Sequence, residues 1–260
     1  MNVLFIGDVV GAPGRRALEE LLSRVVDRHF IDLVITNGEN ASGGLGITPV
    51  IADQLLALGI DVLTSGNHIW KHKEILPYLE ATDRLLRPAN YPPGTPGRGL
   101  SLVETAAGEK AAVLNLEGRV FMNPLECPFR IVDQLLASIP PEVKVIIVDM
   151  HAEATSEKQA LGWHLDGRVS AVVGTHTHVQ TADERILPGG TGYITDAGMT
   201  GPVDSVIGMK KEIILERFLS QLPQPFKVAT QNIQLQGVIL KIDAQGRCQE
   251  INRLHLSLKS

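Results

Sequence analysis

The chain has 260 residues, a formal net charge of −5, 20% charged and 44% hydrophobic residues, a balance that suits a single α/β domain spanning residues 1–260 and argues against a large electrostatic footprint for duplex nucleic acid. No stretch approaches the roughly 18 to 20 apolar residues of a membrane span, and the N-terminus MNVLFIGDVVG lacks the basic region of a signal peptide. The two cysteines, Cys127 and Cys248, form no C-x-x-C pair, which excludes a disulfide framework or a thiolate zinc knot and fits a reducing cytoplasm.

In chain order, NVLFIG reads as a strand, and Leu18, Leu21, Leu22, Val25 and Val26 then recur at helical spacing. DLVITN follows as a strand, TPVIADQLLAL as a helix with Thr48 as N-cap before Pro49, and DVLTSG as a third strand. This βαβαβ run predicts parallel strands buried on both faces, which is why they are almost wholly apolar. After a Pro/Gly-rich loop over 90–99 the texture changes, because GLSLVET and KAAVLNLEG flank AAGE as the arms of an antiparallel hairpin. FRIVDQLLAS reads as a helix, VKVIIVDM as a strand, TSEKQALGWHL as a helix and SAVVGT as a strand. Beyond residue 190 come GYITD, a helix around KKEIILERFLSQL, and a terminal hairpin of NIQLQGVILKID and RCQEINRLHLSL turned at DAQG. The polar, Gly-rich TDAGMTGP (195–202) reads as a surface turn, with a place in the substrate pocket as the alternative.

Ligand sites in open α/β sheets lie beyond the carboxyl ends of the strands. The residues there are Asp8; Glu39 and Asn40; Asn67 and His68; His151; and, in GTHTH, His176 and His178. Each alone has an ordinary explanation: Asp caps helices, Asn tolerates left-handed turns, and many H-x-H pairs bind nothing. Together, two carboxylates, two amides and three imidazoles exceed the three or four groups that one zinc ion uses. They suggest two ions bridged by Glu39, one on Asp8, Glu39, Asn40 and His178, the other on Glu39, Asn67, His151 and His176. In an extended chain His176 and His178 would point the same way, as a pincer. The two ions would draw a phosphate ester without a basic surface and activate a bridging hydroxide for in-line attack, with His68 free to protonate the leaving oxygen. A mixed N/O ligand set suits Fe, Mn, Co or Zn.

With those residues in place, the chain resembles the calcineurin-like metallophosphoesterases: Gly66-Asn67-His68 matches their GNH motif, and His176-Thr177-His178 their terminal G-H-x-H, with a threonine inserted after the glycine. It departs twice, lacking the histidine of D-x-H after Asp8 and reading Gly38-Glu39-Asn40 in place of G-D-x-x-D, so that Asn40 could fill the vacancy on the first ion. GDVVG with NGENA resembles the bacterial YmdB-like branch. That resemblance implies a four-layer α/β/β/α sandwich with two mixed β-sheets, iron or manganese as the metal, and hydrolysis of cyclic nucleotides including 2′,3′-cyclic AMP. It leaves open a phosphomonoesterase or nucleotidase on the same site, a non-catalytic metal-dependent regulator, and a homo-oligomeric state. A dinucleotide-binding domain fits less well, because Gly7, Gly11 and Gly14 do not give G-x-G-x-x-G. A metallo-β-lactamase-like hydrolase would need further ligands where Gln180, Thr181 and Ala182 follow the histidines.

Overall fold

The computed structural model describes residues 1–258. The amino-terminal half builds β1 (Asn2–Ile6), β2 (Asp8–Val9), α1 (Gly11–His29), β3 (Leu33–Asn37), α2 (Pro49–Ala57), β4 (Val62–Thr64), a short 3₁₀ turn, α3 (Ile75–Ala81), β5 (Leu100–Glu104), β6 (Lys110–Glu117) and α4 (Pro128–Ser138). The remainder adds β7 (Val145–His151), α5 (Thr155–Leu165), β8 (Ala171–Thr175), β9 (Arg185–Ile186), β10 (Gly192–Ile194), β11 (Met199–Pro202), α6 (Lys211–Ser220), β12 (Ile233–Ile242) and β13 (Cys248–Ser257). The Thr48 hydroxyl accepts a hydrogen bond from the Ile51 amide at 3.4 Å, as expected of an N-cap.

These strands make two mixed sheets. The first runs β2-β11-β12-β1-β3-β4, with β13 added beside β12; the second runs β5-β6-β7-β8-β10-β9. The β1–β3–β4 and β6–β7–β8–β10 ladders are parallel, as crossover helices demand. The β5–β6 and β12–β13 hairpins are antiparallel.

Alternation along the strands sorts the core into three layers. Leu4 and Ile6 of β1 pack outward with Leu18, Leu22 and Leu55 of the first helical layer. Val3 and Phe5 face inward and meet Val113, Ile147 and Val173 of the second sheet. Leu114, Val148 and Val172 close on Leu161 and Leu165 of α5. Helices thus cover both outer faces, giving the four-layer α/β/β/α sandwich. Among the described residues no helix is long and apolar enough to cross a membrane.

This layering positions the site: the parallel strands of both sheets end on the same edge of the sandwich. The loops after β1, β3 and β4 face those after β7 and β8 there.

TDAGMTGP is neither a surface turn nor part of the cleft wall. Thr195, Asp196, Ala197, Met199 and Thr200 are buried, and Met199–Pro202 forms β11, pairing with β2 and β12. A polar segment can sit in a sheet interior when its side chains are satisfied, and Asp196 is satisfied by a buried lysine.

Candidate metal centre

All seven expected ligands reach this edge. Glu39 Oε1 lies 3.2 Å from His151 Nε2 and 3.2 Å from His68 Nδ1. His151 Nε2 also faces Asn67 Oδ1 at 3.2 Å and His176 Nδ1 at 3.0 Å. The ligand atoms of Glu39, His151 and His176 all lie within 4.8 Å of one another. On the other side, His178 Nε2 stands 3.6 Å from Asp8 Oδ1 and 3.2 Å from Asn40 Nδ2.

The Thr175 hydroxyl donates to Asp149 Oδ1 at 2.7 Å, so its oxygen accepts from His151 Nδ1, 2.9 Å away, and the neutral ring is left with a bare Nε2. His176 Nε2 sits 3.2 Å from the Glu153 carboxylate and carries the proton there, which leaves its Nδ1 bare. With both rings neutral, two imidazole lone pairs, a carboxylate oxygen and an amide oxygen converge with no hydrogen between them. A cation fits that arrangement, and each ring is oriented through its outer nitrogen in the way metal-bound histidines are. His178 follows the same rule, its Nδ1 donating to the Ile207 carbonyl at 3.0 Å. Asp8 Oδ1 is buried without a hydrogen-bond partner, a second acceptor waiting for positive charge.

The electrostatics agree. Burial alone would pull the His151 imidazole down, but the carboxylates of Glu39, Asp8 and Asp149 outweigh it and raise it to about 9. Burial and the neighbouring His151 push His176 down to about 3. Burial favours the neutral acid at Glu39, yet His151 and His68 hold its carboxyl well below the usual range. Without a metal, one imidazolium has to supply the charge that the acceptors require.

Local conformation departs from expectation at the histidine pair. β8 ends at Thr175, and His176 and His178 adopt left-handed backbone angles, with φ of 97° and 64°. They are no pincer: His176 turns toward His151, and His178 toward Asp8 and Asn40. Asn40 departs as well. Its amide nitrogen faces Glu39 and His178, while its oxygen accepts from His68 Nδ1 at 2.8 Å.

Gly66 makes room for the cluster, because a Cβ there would run into the His151 ring.

Beside the cluster opens a cleft of about 1150 Å³, which shares Asn40, Asn67, His68 and His178 with it.

Residues 4–254 match the family described as YmdB-like protein. The chain belongs to this family. A relative from Bacillus subtilis strain 168, named 2′,3′-cyclic-nucleotide 2′-phosphodiesterase, is 51% identical over 94% of this chain and 92% of its own length. A putative phosphatase/phosphodiesterase of Mycoplasma pneumoniae is 36% identical over 94% of this chain and 88% of its own. Among solved structures, a hypothetical protein from Thermus thermophilus superposes with a TM-score of 0.93 at 46% identity, covering 99% of both chains. A structure described as a novel phosphatase of Mycoplasma pneumoniae gives 0.92 at 33% identity, covering 99% of this chain and 93% of that one.

This YmdB-like chain also holds polar residues beneath the cluster that sequence reasoning missed. Asn37, buried at the end of β3, donates to Asp149 Oδ2 at 3.2 Å and accepts from the Glu39 amide at 3.1 Å. Asp149 is fully buried within the apolar-looking β7, where burial raises its carboxyl to about 7. Lys158 and Asp196 form a buried ion pair at 2.8 Å, and Asp196 Oδ2 accepts from both the amide and the hydroxyl of Thr177. Asp149 carried a signal, since a carboxylate inside an apolar strand needs a buried partner. Nothing local marked Lys158, which lies on a helix of mixed pattern.

Proposed function

We propose that this chain is a dinuclear metal-dependent phosphodiesterase acting on small phosphate esters, cyclic nucleotides such as 2′,3′-cyclic AMP among them. The observation that carries the reading is the convergence of Glu39, Asn67, His151 and His176 at the mouth of a ligand-sized cleft. The activity for which the Bacillus subtilis relative is named supports the substrate class. Asp8, Glu39, Asn40 and His178 would hold one ion, and Glu39, Asn67, His151 and His176 the other, with iron or manganese as the proposed metals. Asn40 enters such a set through its oxygen only after its amide turns over. When bound, the ions supply Lewis acidity toward phosphoryl oxygens and a nucleophile from water at neutral pH.

The chain's own residues do the rest. The His68 amide donates to Glu39 Oε2 at 3.0 Å and His68 Nδ1 to Asn40 Oδ1, so the ring is fixed against the cluster while lining the cleft. Its Nε2 is the nitrogen left for substrate, and as an imidazolium it would give that proton to the departing ester oxygen as the P–O bond breaks. An oriented imidazole in the cleft favours catalysis over a purely regulatory metal site. The free thiols of Cys127 and Cys248 support action in a reducing cytoplasm.

The test is metal quantification alongside a substrate panel of bis(p-nitrophenyl) phosphate, p-nitrophenyl phosphate and 2′,3′-cyclic AMP, each with and without manganese. The expected result is about two ions per chain and diester hydrolysis that depends on added metal. Glu39→Ala should release both ions; retention of about two per chain would remove Glu39 as the bridge.

A further inference from the structure

Besides the residues it shares with the cluster, the cleft is lined by Trp70, Ile207, Met209, Phe218, Phe226 and Arg217. Phe218 and Phe226 are 70% and 54% exposed, an unusual cost on a soluble surface unless a ligand covers them. Arg217 lies on α6 with its guanidinium 4.8 Å from the centroid of the Phe226 ring. Among the described residues this guanidinium has no hydrogen-bond or ion-pair partner, so its donors are free. Among the described residues no carboxylate lines the cleft.

With a phosphodiester at the cluster, one ester substituent must extend into this cleft. The wall it meets offers flat apolar rings and an unpaired planar cation, which suits an aromatic heterocycle with acceptors on its edge. A lipid tail would leave the guanidinium unsatisfied. Resting on the phosphodiesterase reading above, we propose that Trp70, Phe218, Phe226 and Arg217 form the nucleobase subsite and that it selects purines over pyrimidines. A purine stacks two fused rings where a pyrimidine stacks one. It also presents N7, with O6 in guanine, to the donors of an arginine fork.

The experiment compares wild type, Phe226→Ala and Arg217→Ala on 2′,3′-cyclic AMP, 2′,3′-cyclic CMP and methyl p-nitrophenyl phosphate, which carries no base. Both substitutions are on the surface and leave the core intact. Wild type should show a higher kcat/KM for the purine, and each variant should raise KM for cyclic AMP about tenfold with kcat little changed. KM for methyl p-nitrophenyl phosphate should change less than about twofold, since stacking contributes nothing there. Equal kcat/KM for the two nucleotides in wild type, or parallel KM changes on all three substrates, would overturn the subsite. If wild type cleaves methyl p-nitrophenyl phosphate but neither nucleotide, the substrate reading fails. Adenosine as a competitive inhibitor that Phe226→Ala weakens would then still support the subsite, and no inhibition would overturn it.

Discussion

Replacing Lys158 by methionine should destabilise the protein and loosen the turn that carries two of the proposed ligands. The Lys158 ammonium and the Asp196 carboxylate lie 2.8 Å apart with both side chains fully buried. Asp196 also accepts from the Thr177 amide at 3.1 Å, the Thr177 hydroxyl at 2.7 Å and the Gly198 amide at 2.9 Å. Methionine preserves most of the stem's volume but removes the counter-charge. Losing one partner of a buried pair costs about 3–5 kcal/mol. Three donors remain on the carboxylate, so the lower end applies, about 3 kcal/mol, or a fall in Tm of roughly 6–12 °C for a chain of this size. Calorimetric melts in EDTA measure this without stabilisation by bound metal. Adding Asp196→Asn to Lys158→Met removes the orphaned charge and should recover much of the loss. Because Thr177 is the residue between His176 and His178, whose left-handed backbones must be held in place, the single variant should also retain less metal after gel filtration. A Tm within about 2 °C of wild type, against the expected cost, would refute the clamp, as would a double variant less stable than the single one.

Three further outcomes follow from the same geometry. Gly66→Ala pushes a methyl into the His151 ring and should lower kcat/KM by about 100-fold together with metal content; a fully loaded, fully active variant would contradict that packing. His68→Ala should retain its metal and lose about 10²- to 10⁴-fold in turnover on poor alkoxide leaving groups, with a smaller loss on p-nitrophenyl esters; unchanged rates on both would remove His68 from the mechanism. In EDTA, His151 holds its proton up to about 9 in the folded chain, against about 6.5 when unfolded. Its contribution to stability is therefore complete below about 6.5 and disappears as pH climbs through about 9. Melts between these limits should fall in Tm more steeply for metal-free wild type than for metal-free His151→Gln, in which buried Asp149, raised to about 7, still contributes a fall; identical slopes would exclude His151 as a source.

Much of the site was legible because its chemistry sits where strand periodicity ends. Asp8, Glu39, Asn67, His151 and His176 each follow or close an apolar run, and the rule that ligands gather beyond strand ends needs only the runs themselves. Details that depend on one side chain meeting another were not legible. Alternation along a strand implied that His176 and His178 share a face, but β8 stops at Thr175 and the turn is dictated by Asp196 and Lys158, distant in sequence. The orientation of the Asn40 amide is set by His68 in the same way. TDAGMTGP misled because composition reports the polarity of side chains and not whether a partner awaits them in the core.

The order and period of apolar residues, taken alone, determined most of the strands and helices, though not β2, α3, β9 or β11, that β1, β3 and β4 run parallel, and which polar residues stand at their ends. Those properties follow from local backbone geometry and from the burial each segment needs. Only the tertiary structure decided that the two sheets stack with their carboxyl ends on one edge, and that a carboxylate, an amide oxygen and two imidazoles there face one another. It also set Arg217 against Phe226 in the wall of the cleft. These are contacts between residues far apart in the chain, and their energies depend on distance and desolvation, which a linear pattern does not encode.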